Sequence, residues 1–270
     1  MRYISKYLFP VILPVLVVSC SKNSDTPQVT ASLTLVDAVV GNNKLMMNFS
    51  GNYSFNIGDS TSSFNYYNAA NSVSYSGQYN AQTYYVFNNW IGRQKLALYQ
   101  WPDTLPKSQP LFNFTLDLPV GSINSLFLTG TTTSPDTLFT TDHPPYHPIS
   151  DSVTGIRFIN LSSGSNPISV NIRGEANGSE VSSLPYKGVT SFISYPATVS
   201  AADTINFEFR DAASGTILTT FQVPGIANDG SDPNNPANIW RFNNFTFVLA
   251  GLPGGTGDAA QTVLQIGNKR

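Results

Sequence analysis

Residues 156–174 read I-R-F-I-N-L-S-S-G-S-N-P-I-S-V-N-I-R-G, and a related stretch, L-T-L-V-D-A-V-V-G-N-N-K-L-M-M-N-F-S-G, lies 123 positions earlier at 33–51. The two stretches align without a gap. Identical residues coincide at four positions: Gly41 with Gly164, Asn43 with Asn166, Asn48 with Asn171 and Gly51 with Gly174. This period is far longer than a solenoid unit, so it predicts two copies of one domain.

The composition fits an extracellular β protein. Of 270 residues only 11% are charged, while aromatic residues make up 12% and supply material for a core. The net charge of −2 gives no electrostatic support for a nucleic-acid partner. The single cysteine excludes a disulfide within the chain and a zinc site built on cysteines. We expect no cofactor and no metal.

Short apolar runs separated by turn residues recur in both copies. The run L-F-N-F-T-L-D-L at 111–118 alternates with period two, as expected of a strand with one buried face. Its first six residues align with 218–223, and 126–130 aligns with 247–251. Because no window shows a helical period, we predict an all-β fold with two tandem immunoglobulin-like β-sandwich domains, at 31–141 and 153–270.

The segment 142–152, D-H-P-P-Y-H-P-I-S-D-S, joins the two copies. Its three prolines favour extended backbone, so we predict a semi-stiff, Pro-rich linker in solvent. The segment also holds the only histidines of the chain, His143 and His147. A loose metal clasp with Asp142 or a hydrolytic triad is the alternative, but catalytic histidines need a rigid element beneath them.

The N-terminus resembles a bacterial lipoprotein signal. Arg2 and Lys6 precede an apolar run at 7–18, which is too short to cross a bilayer as a helix, and Ser19-Cys20 closes the run. An ordinary signal peptide with an incidental cysteine is the alternative interpretation.

The lipoprotein resemblance implies cleavage before Cys20 and acylation of its thiol. Residues 1–19 would then be the signal peptide, and 20–30 a flexible tether to the membrane. The similarity to exported lipoproteins of Bacteroidota favours the outer membrane, at the cell surface or on the periplasmic face.

The second copy resembles the family catalogued as domain of unknown function 4397. The resemblance rests on G-I-R-F-I-N-L-S-S at 155–163, I-S-V-N-I-R-G at 168–174, Y-K-G-V-T at 186–190 and F-T-F-V-L-A-G at 245–251. The N-L-S-S-G at 160–164 departs from the H-A-S-P-D usual in that family. The resemblance implies a secreted or anchored β-sandwich, often in tandem, and no reaction.

The first copy interleaves tyrosines with asparagines between residues 65 and 90. Aromatic faces can stack on sugar C–H groups, and amides supply donors and acceptors. The candidate ligand-binding residues are Tyr84, Tyr85 and Trp90. The alternative is that these side chains belong to the core and edges of the sandwich.

Asp followed by Ser or Thr recurs along the chain and is similar to the O-glycosylation acceptor motif of exported Bacteroidota proteins. The candidates in predicted loops are Ser60, Thr104 and Ser152. Chance matches are the alternative, because Ser and Thr are abundant.

No catalytic pair stands out. Glu208 lies in the predicted strand 204–210, and no stretch supplies the second carboxylate of a glycosidase, so a surface acid is the favoured interpretation. We therefore expect a non-catalytic envelope lipoprotein that binds a glycan or an envelope protein. The alternatives are a structural or assembly subunit, and a hydrolase in which Glu208 or His147 meets another acid.

Overall fold

The computed structural model describes residues 30–42, 45–48, 72–73, 84–87, 92–100, 108–197, 204–224, 226 and 238–268. Within these residues it has sixteen β-strands and one short 3₁₀ helix, Gly257–Ala259. The prediction of an all-β fold is confirmed. No helix in this part of the chain is long and apolar enough to span a membrane.

The first half of the chain contributes eight strands: β1 Ser32–Asp37, β2 Leu45–Asn48, β3 Ser72–Val73, β4 Tyr84–Phe87, β5 Gly92–Gln100, β6 Phe112–Leu118, β7 Ile123–Gly130 and β8 Pro135–Thr141. The second half contributes eight more: β9 Val153–Asn160, β10 Ile168–Ile172, β11 Val181–Leu184, β12 Ile193–Pro196, β13 Thr204–Asp211, β14 Ile217–Pro224, β15 Asn244–Ala250 and β16 Thr262–Asn268.

The strands form four sheets of four strands each. In each half, the sheet that faces the other half is called the inner sheet, and the remaining sheet is called the outer sheet. The first half has an inner sheet, β4-β1-β7-β8, and an outer sheet, β3-β2-β5-β6. The second half has an inner sheet, β12-β9-β15-β16, and an outer sheet, β11-β10-β13-β14. Adding eight to each strand number of the first half therefore gives the strand order of the second half. In each half the first and seventh strands pair in parallel.

The pairing register of the parallel strands follows the sequence repeat. Leu35 of β1 pairs with Leu126 of β7, and Phe158 of β9 pairs with Phe247 of β15. These are the residues that the two sequence alignments place at equivalent positions. The immunoglobulin-like assignment and the exact domain boundaries stay predictions.

Each half closes over a core between its two sheets. In the first half, leucines dominate this core, among them Leu35 from the inner sheet and Leu96 from the outer sheet. In the second half, aromatic rings dominate it. The ring of Phe158 lies edge-to-face against Phe207 and Phe247, at centroid distances of 5.3 and 6.0 Å. Such pairs add to the stabilisation from burial alone.

The two inner sheets also pack against each other. Residues that point away from both sandwich cores form a third apolar cluster, each at most 5% exposed: Val36, Ala38, Phe127, Ile159, Leu161, Val248, Ala250, Leu264 and Ile266. The four sheets thus form one stack, in the order outer, inner, inner, outer. Strands in its middle are buried on both faces, and β15 is buried at all seven positions.

The inner sheets lie with their parallel strands pointing the same way. Near one end, Arg157 of β9 contacts Asp142, which follows β8. Near the other end, the Thr129 hydroxyl of β7 donates to the Leu161 carbonyl, at 2.9 Å. The basal end is the end that holds Thr30, the segment 142–152 and the first residues of β7, β9 and β15. The apical end holds the loops that follow those strands.

The segment 142–152 is only partly exposed to solvent, which corrects the prediction of a solvated spacer. Asp142 is 3% exposed and His147 is 8% exposed. The Asp142 amide donates to the Ile123 carbonyl at 2.7 Å, and His147 Nε2 lies 2.8 Å from Asn244 Oδ1. Prolines stiffen a chain without keeping it away from the protein, and this segment folds against the bases of both inner sheets.

The sequence at 240–250, W-R-F-N-N-F-T-F-V-L-A, suggests a single strand, but the strand begins only at Asn244. The side chain of Asn238 accepts hydrogen bonds from the amides of Trp240 and Arg241, at 2.9 and 3.1 Å. Phe242 then adopts a positive φ of 65°. Residues 240–243 therefore form a turn, although their apolar side chains suggest a strand.

We predict that Phe127→Ala lowers the free energy of unfolding by about 3–5 kcal/mol, because it empties space between the inner sheets. Phe127 is 0% exposed, whereas Phe139 on the neighbouring strand β8 is 42% exposed. Phe139→Ala is therefore the control, with an expected loss below about 1.5 kcal/mol. Urea unfolding measures both. Equal losses would show that the inner sheets do not pack together in solution.

Candidate functional site

The predicted ligand-binding tyrosines lie on opposite faces of β4. Tyr84 packs against the cluster between the inner sheets, and Tyr85 packs against the first sandwich core. The Tyr85 ring lies 5.0 Å from that of Phe87. Both tyrosines are half-buried. They do not form one aromatic platform, and Trp90 lies outside the described residues, so ligand binding by this group stays a prediction.

Of the predicted modification sites, only Ser152 falls within the described residues. It is half-buried, its φ is 44°, and its carbonyl accepts a hydrogen bond from the Ala197 amide at 2.8 Å. Ser60, Thr104 and the lipidation site Cys20 lie outside the described residues. All four modifications stay predictions.

The residues considered for a metal clasp turn to different partners. Asp142 pairs with Arg157, and His147 meets the side-chain amide of Asn244. In the described part of the chain, no group of three or more His, Cys, Asp or Glu side chains could hold a metal ion.

A buried ion pair joins the two inner sheets at the basal end. Arg157 Nη1 lies 2.6 Å from Asp142 Oδ1, and the two side chains are 5% and 1% exposed. Ser125 and Thr140 also donate to the carboxylate, at 2.5 and 2.8 Å. Arg157 Nε donates to the Thr246 hydroxyl at 2.7 Å. Asp142 is therefore fully engaged and is not available as a general base.

The guanidinium of Arg157 has a further contact. Its central carbon lies 5.1 Å from the centroid of the Phe192 ring, which supports the cation through its face. Nη2 of Arg157 is buried without a hydrogen-bond partner among the described residues. A charge buried in this way depends on its carboxylate partner, so the pair fixes the orientation of the sheets rather than performing chemistry.

A basal cleft of about 460 Å³ opens beside this pair, lined by Val120, Gly121, Ser122, Ile123, Thr141, Asp142, His143 and Pro144. Three of its four polar side chains, those of Ser122, Thr141 and Asp142, are hydrogen-bonded within the protein. Asp142 is held by Arg157, and the Ser122 hydroxyl donates to the Pro119 carbonyl at 2.6 Å. The lining offers no converging set of polar groups for a specific ligand.

Glu208 is buried and paired, which corrects its interpretation as a surface acid. It is 5% exposed and lies 3.2 Å from Arg173 Nε and 2.5 Å from Arg210 Nη2. The hydrogen bond from Arg210, with burial opposing it, holds the pKa of Glu208 below its ordinary value. A carboxylate kept ionised by two arginines is poorly suited to act as a proton donor.

Asp37, at the end of β1, is a buried carboxyl that no sequence pattern indicated. It is 0% exposed, and it accepts hydrogen bonds from the Val39 amide at 3.0 Å and the Asn42 side chain at 2.7 Å. Burial raises the pKa of Asp37 to about 7, although both hydrogen bonds oppose this. The Asn42 Oδ1 atom is buried without a partner among the described residues.

The second copy has Asn160 where the repeat places Asp37. Asn160 Oδ1 accepts from the Ser162 amide at 3.0 Å, as Asp37 does from Val39. Its amide nitrogen donates to the Ser165 hydroxyl at 3.1 Å and to the Leu184 carbonyl at 3.2 Å. A neutral amide thus serves the same turn, and it ties two apical loops together.

Two further apical loops in the described part of the chain are also held by side-chain hydrogen bonds. Asp211 accepts from the amides of Ala213 and Ser214, at 3.1 and 2.8 Å. The Asn166 amide donates to Asp211 across two loops, at 2.9 Å. Thr131 closes its own loop by accepting from the Ser134 amide at 3.0 Å.

One apical contact bridges the two halves. Lys187 Nζ lies 2.9 Å from Asp136 Oδ1, and the Tyr186 hydroxyl donates to Asp136 Oδ2 at 3.1 Å. Asp136 belongs to the first half and the other two residues to the second. This contact therefore joins the described apical loops of the two halves.

We predict that Arg157→Met lowers the free energy of unfolding by about 3–5 kcal/mol, because it leaves the Asp142 carboxylate buried and unpaired. Lys187→Met is the control, since its ion pair is 36% and 42% exposed. It should cost at most about 1 kcal/mol. A double-mutant cycle with Asp142→Asn, measured by urea unfolding, tests the coupling. Independent effects of the two basal substitutions would contradict the pairing.

We predict that Asp37 makes the protein less stable as the pH rises from about 4 to about 7. The carboxyl of the unfolded chain has its ordinary pKa of 3.8, whereas that of the folded chain has a pKa of about 7. The folded state thus holds a proton that the unfolded state loses within this range. The contribution of Asp37 is fully present below pH 4 and is lost above pH 7.

Asp37→Asn should remove up to roughly 4 kcal/mol of this pH dependence, because each pH unit between the folded and unfolded pKa values contributes about 1.4 kcal/mol. The neutral amide mimics Asn160, and after reorientation Asn42 Oδ1 can accept from it. Urea unfolding at pH 4.5 and pH 8 of the variant and the unaltered chain makes the comparison. Parallel pH profiles would show that Asp37 ionises normally.

No model of a known protein family matches the chain, and no curated protein matches it. The resemblance to domain of unknown function 4397 stays a prediction. The function of the chain has to be inferred from the geometry of the described residues.

Proposed function

We propose that the protein is a non-catalytic lipoprotein of the cell envelope, anchored through Cys20, and that its apical surface binds a glycan or a protein. The observation that carries this proposal is the set of hydrogen bonds that order the described apical loops, most of which belong to the second half. Asn160, Asp211 and Asp136 each bind groups from other loops or from the opposite half.

Loops held in this way are suited to binding. A surface that is already ordered loses less conformational entropy when a ligand binds, so more of the contact energy appears as affinity. The turn between β7 and β8 spans 131–134, whereas the corresponding turn between β15 and β16 spans 251–261, so these two parts of the surface differ in shape. Rigid scaffolds that present short loops are a common way to build binding sites.

The exposed chemistry of these loops is polar and nearly uncharged. The exposed residues include Thr133, Ser134, Asn166, Thr256 and Asp258, and hydroxyl and amide groups dominate. Lys187 is engaged by Asp136. Neutral donors and acceptors complement sugar hydroxyls or a peptide backbone better than phosphates or nucleic acid.

The anchor is supported by the sequence. Cys20 follows an apolar run of signal-peptide length and is the only cysteine of the chain. Acylation with more than one chain would give durable attachment to the outer membrane. The first described residue, Thr30, lies at the basal end, so the proposed attachment leaves the apical end directed away from the bilayer.

We predict that the folded chain retains specific glycans or one envelope protein in array and pull-down screens. Asp211→Ala, which releases the loop contacts of Asp211, should then weaken binding at least about threefold with little change in thermal stability. The control is Asp151→Ala, which removes an exposed carboxylate at the basal end that accepts from Ser150.

Blank screens would count against a binding module. Co-purification with one fixed envelope partner, without any ligand-induced thermal shift, would favour a structural or assembly subunit instead. A hydrolase would require an activity that Glu208→Gln or His147→Ala abolishes.

A further inference from the structure

Large apolar side chains are exposed mainly at the basal end. Of the exposed large hydrophobic residues in the described part of the chain, Val120 is 58% exposed, Tyr146 67%, Ile149 85% and Ile239 57%. These four, the basal apolar residues, come from three separate segments: the turn after β6, the segment 142–152 and the turn before β15. Ile149 is the most exposed large apolar side chain described.

Hydrogen bonds place these segments together around the base. The Gly121 amide, next to Val120, donates to the Thr30 carbonyl at 2.9 Å. The side chain of His147, between Tyr146 and Ile149 in sequence, meets Asn244. Asn243 donates to the Ile239 carbonyl at 2.9 Å. Val120 therefore lies beside the point from which the N-terminal segment leaves the described structure, and the other three residues lie at the same end of the stack.

The chain between the proposed anchor and this point is short. Nine residues lie between Cys20 and Thr30, which are therefore ten positions apart. Fully extended, this stretch spans at most about 35 Å. An acylated Cys20 therefore keeps the basal end within that distance of the bilayer, and contact with lipid becomes an intramolecular event with a high effective concentration.

Charged side chains of both signs are exposed at the basal end, among them Asp117 of β6 and Arg93 of β5, which lie opposite each other. Asp142 and His147 are buried, and the Arg241 side chain donates to the Ala197 carbonyl at 2.9 Å. Asp151 and His143 are exposed. Glu175 is exposed in the turn after β10, at the base of the second outer sheet, so the contact is centred on the inner sheets.

We propose that the basal apolar residues rest on the membrane that holds the lipid anchor, with Tyr146 and Ile149 at the headgroup level. Tyrosine suits this depth because its ring is apolar and its hydroxyl is polar. Four side chains are too few for stable binding without the anchor, but they orient an anchored protein. This inference rests on the lipid anchor of the proposed function.

The test uses a fluorescent label on an introduced cysteine. In the acylated protein Cys20 is blocked, so Ile149→Cys and Ile217→Cys each offer one thiol for an environment-sensitive dye. Ile217 is 47% exposed, follows the apical Asp211 loop and is the matched control. The proteins are placed in vesicles of phosphatidylethanolamine and phosphatidylglycerol that carry nitroxide-labelled headgroups.

We expect at least about twofold stronger quenching at position 149 than at 217, since headgroup nitroxides quench only nearby dyes. Equal quenching of an anchored protein overturns the inference. Shielding of position 149 without vesicles also overturns it, because a second copy of the chain would then cover the base.

A second arrangement separates the inference from the anchor. Residues 1–20 are replaced by six histidines, and the chain is held on vesicles by nickel-chelating lipid. If the natural form does not float with vesicles, the lipid anchor is refuted. If the chelated form still shows stronger quenching at position 149 than at position 217, the basal contact is supported independently of the anchor. No difference in the chelated form refutes the basal contact.

Discussion

The packing of the two inner sheets against each other is the constraint on which the rest of the structure depends. Each sandwich has its own core, but β1, β7, β9 and β15 are buried on both faces because a third apolar cluster fills the space between the halves. Burial of this cluster converts two sandwiches into one stack. It also brings the described apical loops of both halves to one end of the stack. Thr30 and the segment 142–152 lie at the other end.

Polar groups at the margins of this interface define its geometry. Apolar contact alone is non-directional and tolerates rotation of one sheet on the other. The Asp142–Arg157 pair at the base and the Asp136–Lys187 pair at the apex act at opposite ends, so a rotation would break at least one of them. The buried pair carries the larger penalty when broken, because a lone carboxylate there has no access to water. The pair orients the two halves relative to each other. This role does not depend on a net gain in stability from the pair.

The sequence predicted the repeat, the all-β class and most of the long strands, because local periodicity and aligned glycines indicate these features directly. The interface between halves was not predicted. Phe127 and Val248 look like ordinary members of apolar runs. Only their packing against the opposite inner sheet distinguishes them from residues of a sandwich core. Arg157 and Asp142 are 15 residues apart, and no local pattern links them. β11, V-S-S-L, is too short and polar to read as a strand, and its place is set by pairing with β10. The candidate ligand tyrosines illustrate the same limit, since strand alternation separates Tyr84 from Tyr85 once β4 is placed.

The outer faces of the two halves show what duplication leaves free to change. Ser169, Glu208 and Arg210 of the second outer sheet correspond by register to Met46, Ala97 and Tyr99 of the first. In the second sheet Arg210 pairs with Glu208 and Ser169 donates to Asn177, whereas the three residues of the first sheet form a small apolar cluster. Positions facing the sandwich cores stay apolar in both halves because each core must be filled. The outer faces carry no such requirement, and neither do the apical loops beyond their internal hydrogen bonds. Substitutions in the exposed apical loops can therefore accumulate without disturbing the stack that holds these loops at a fixed orientation.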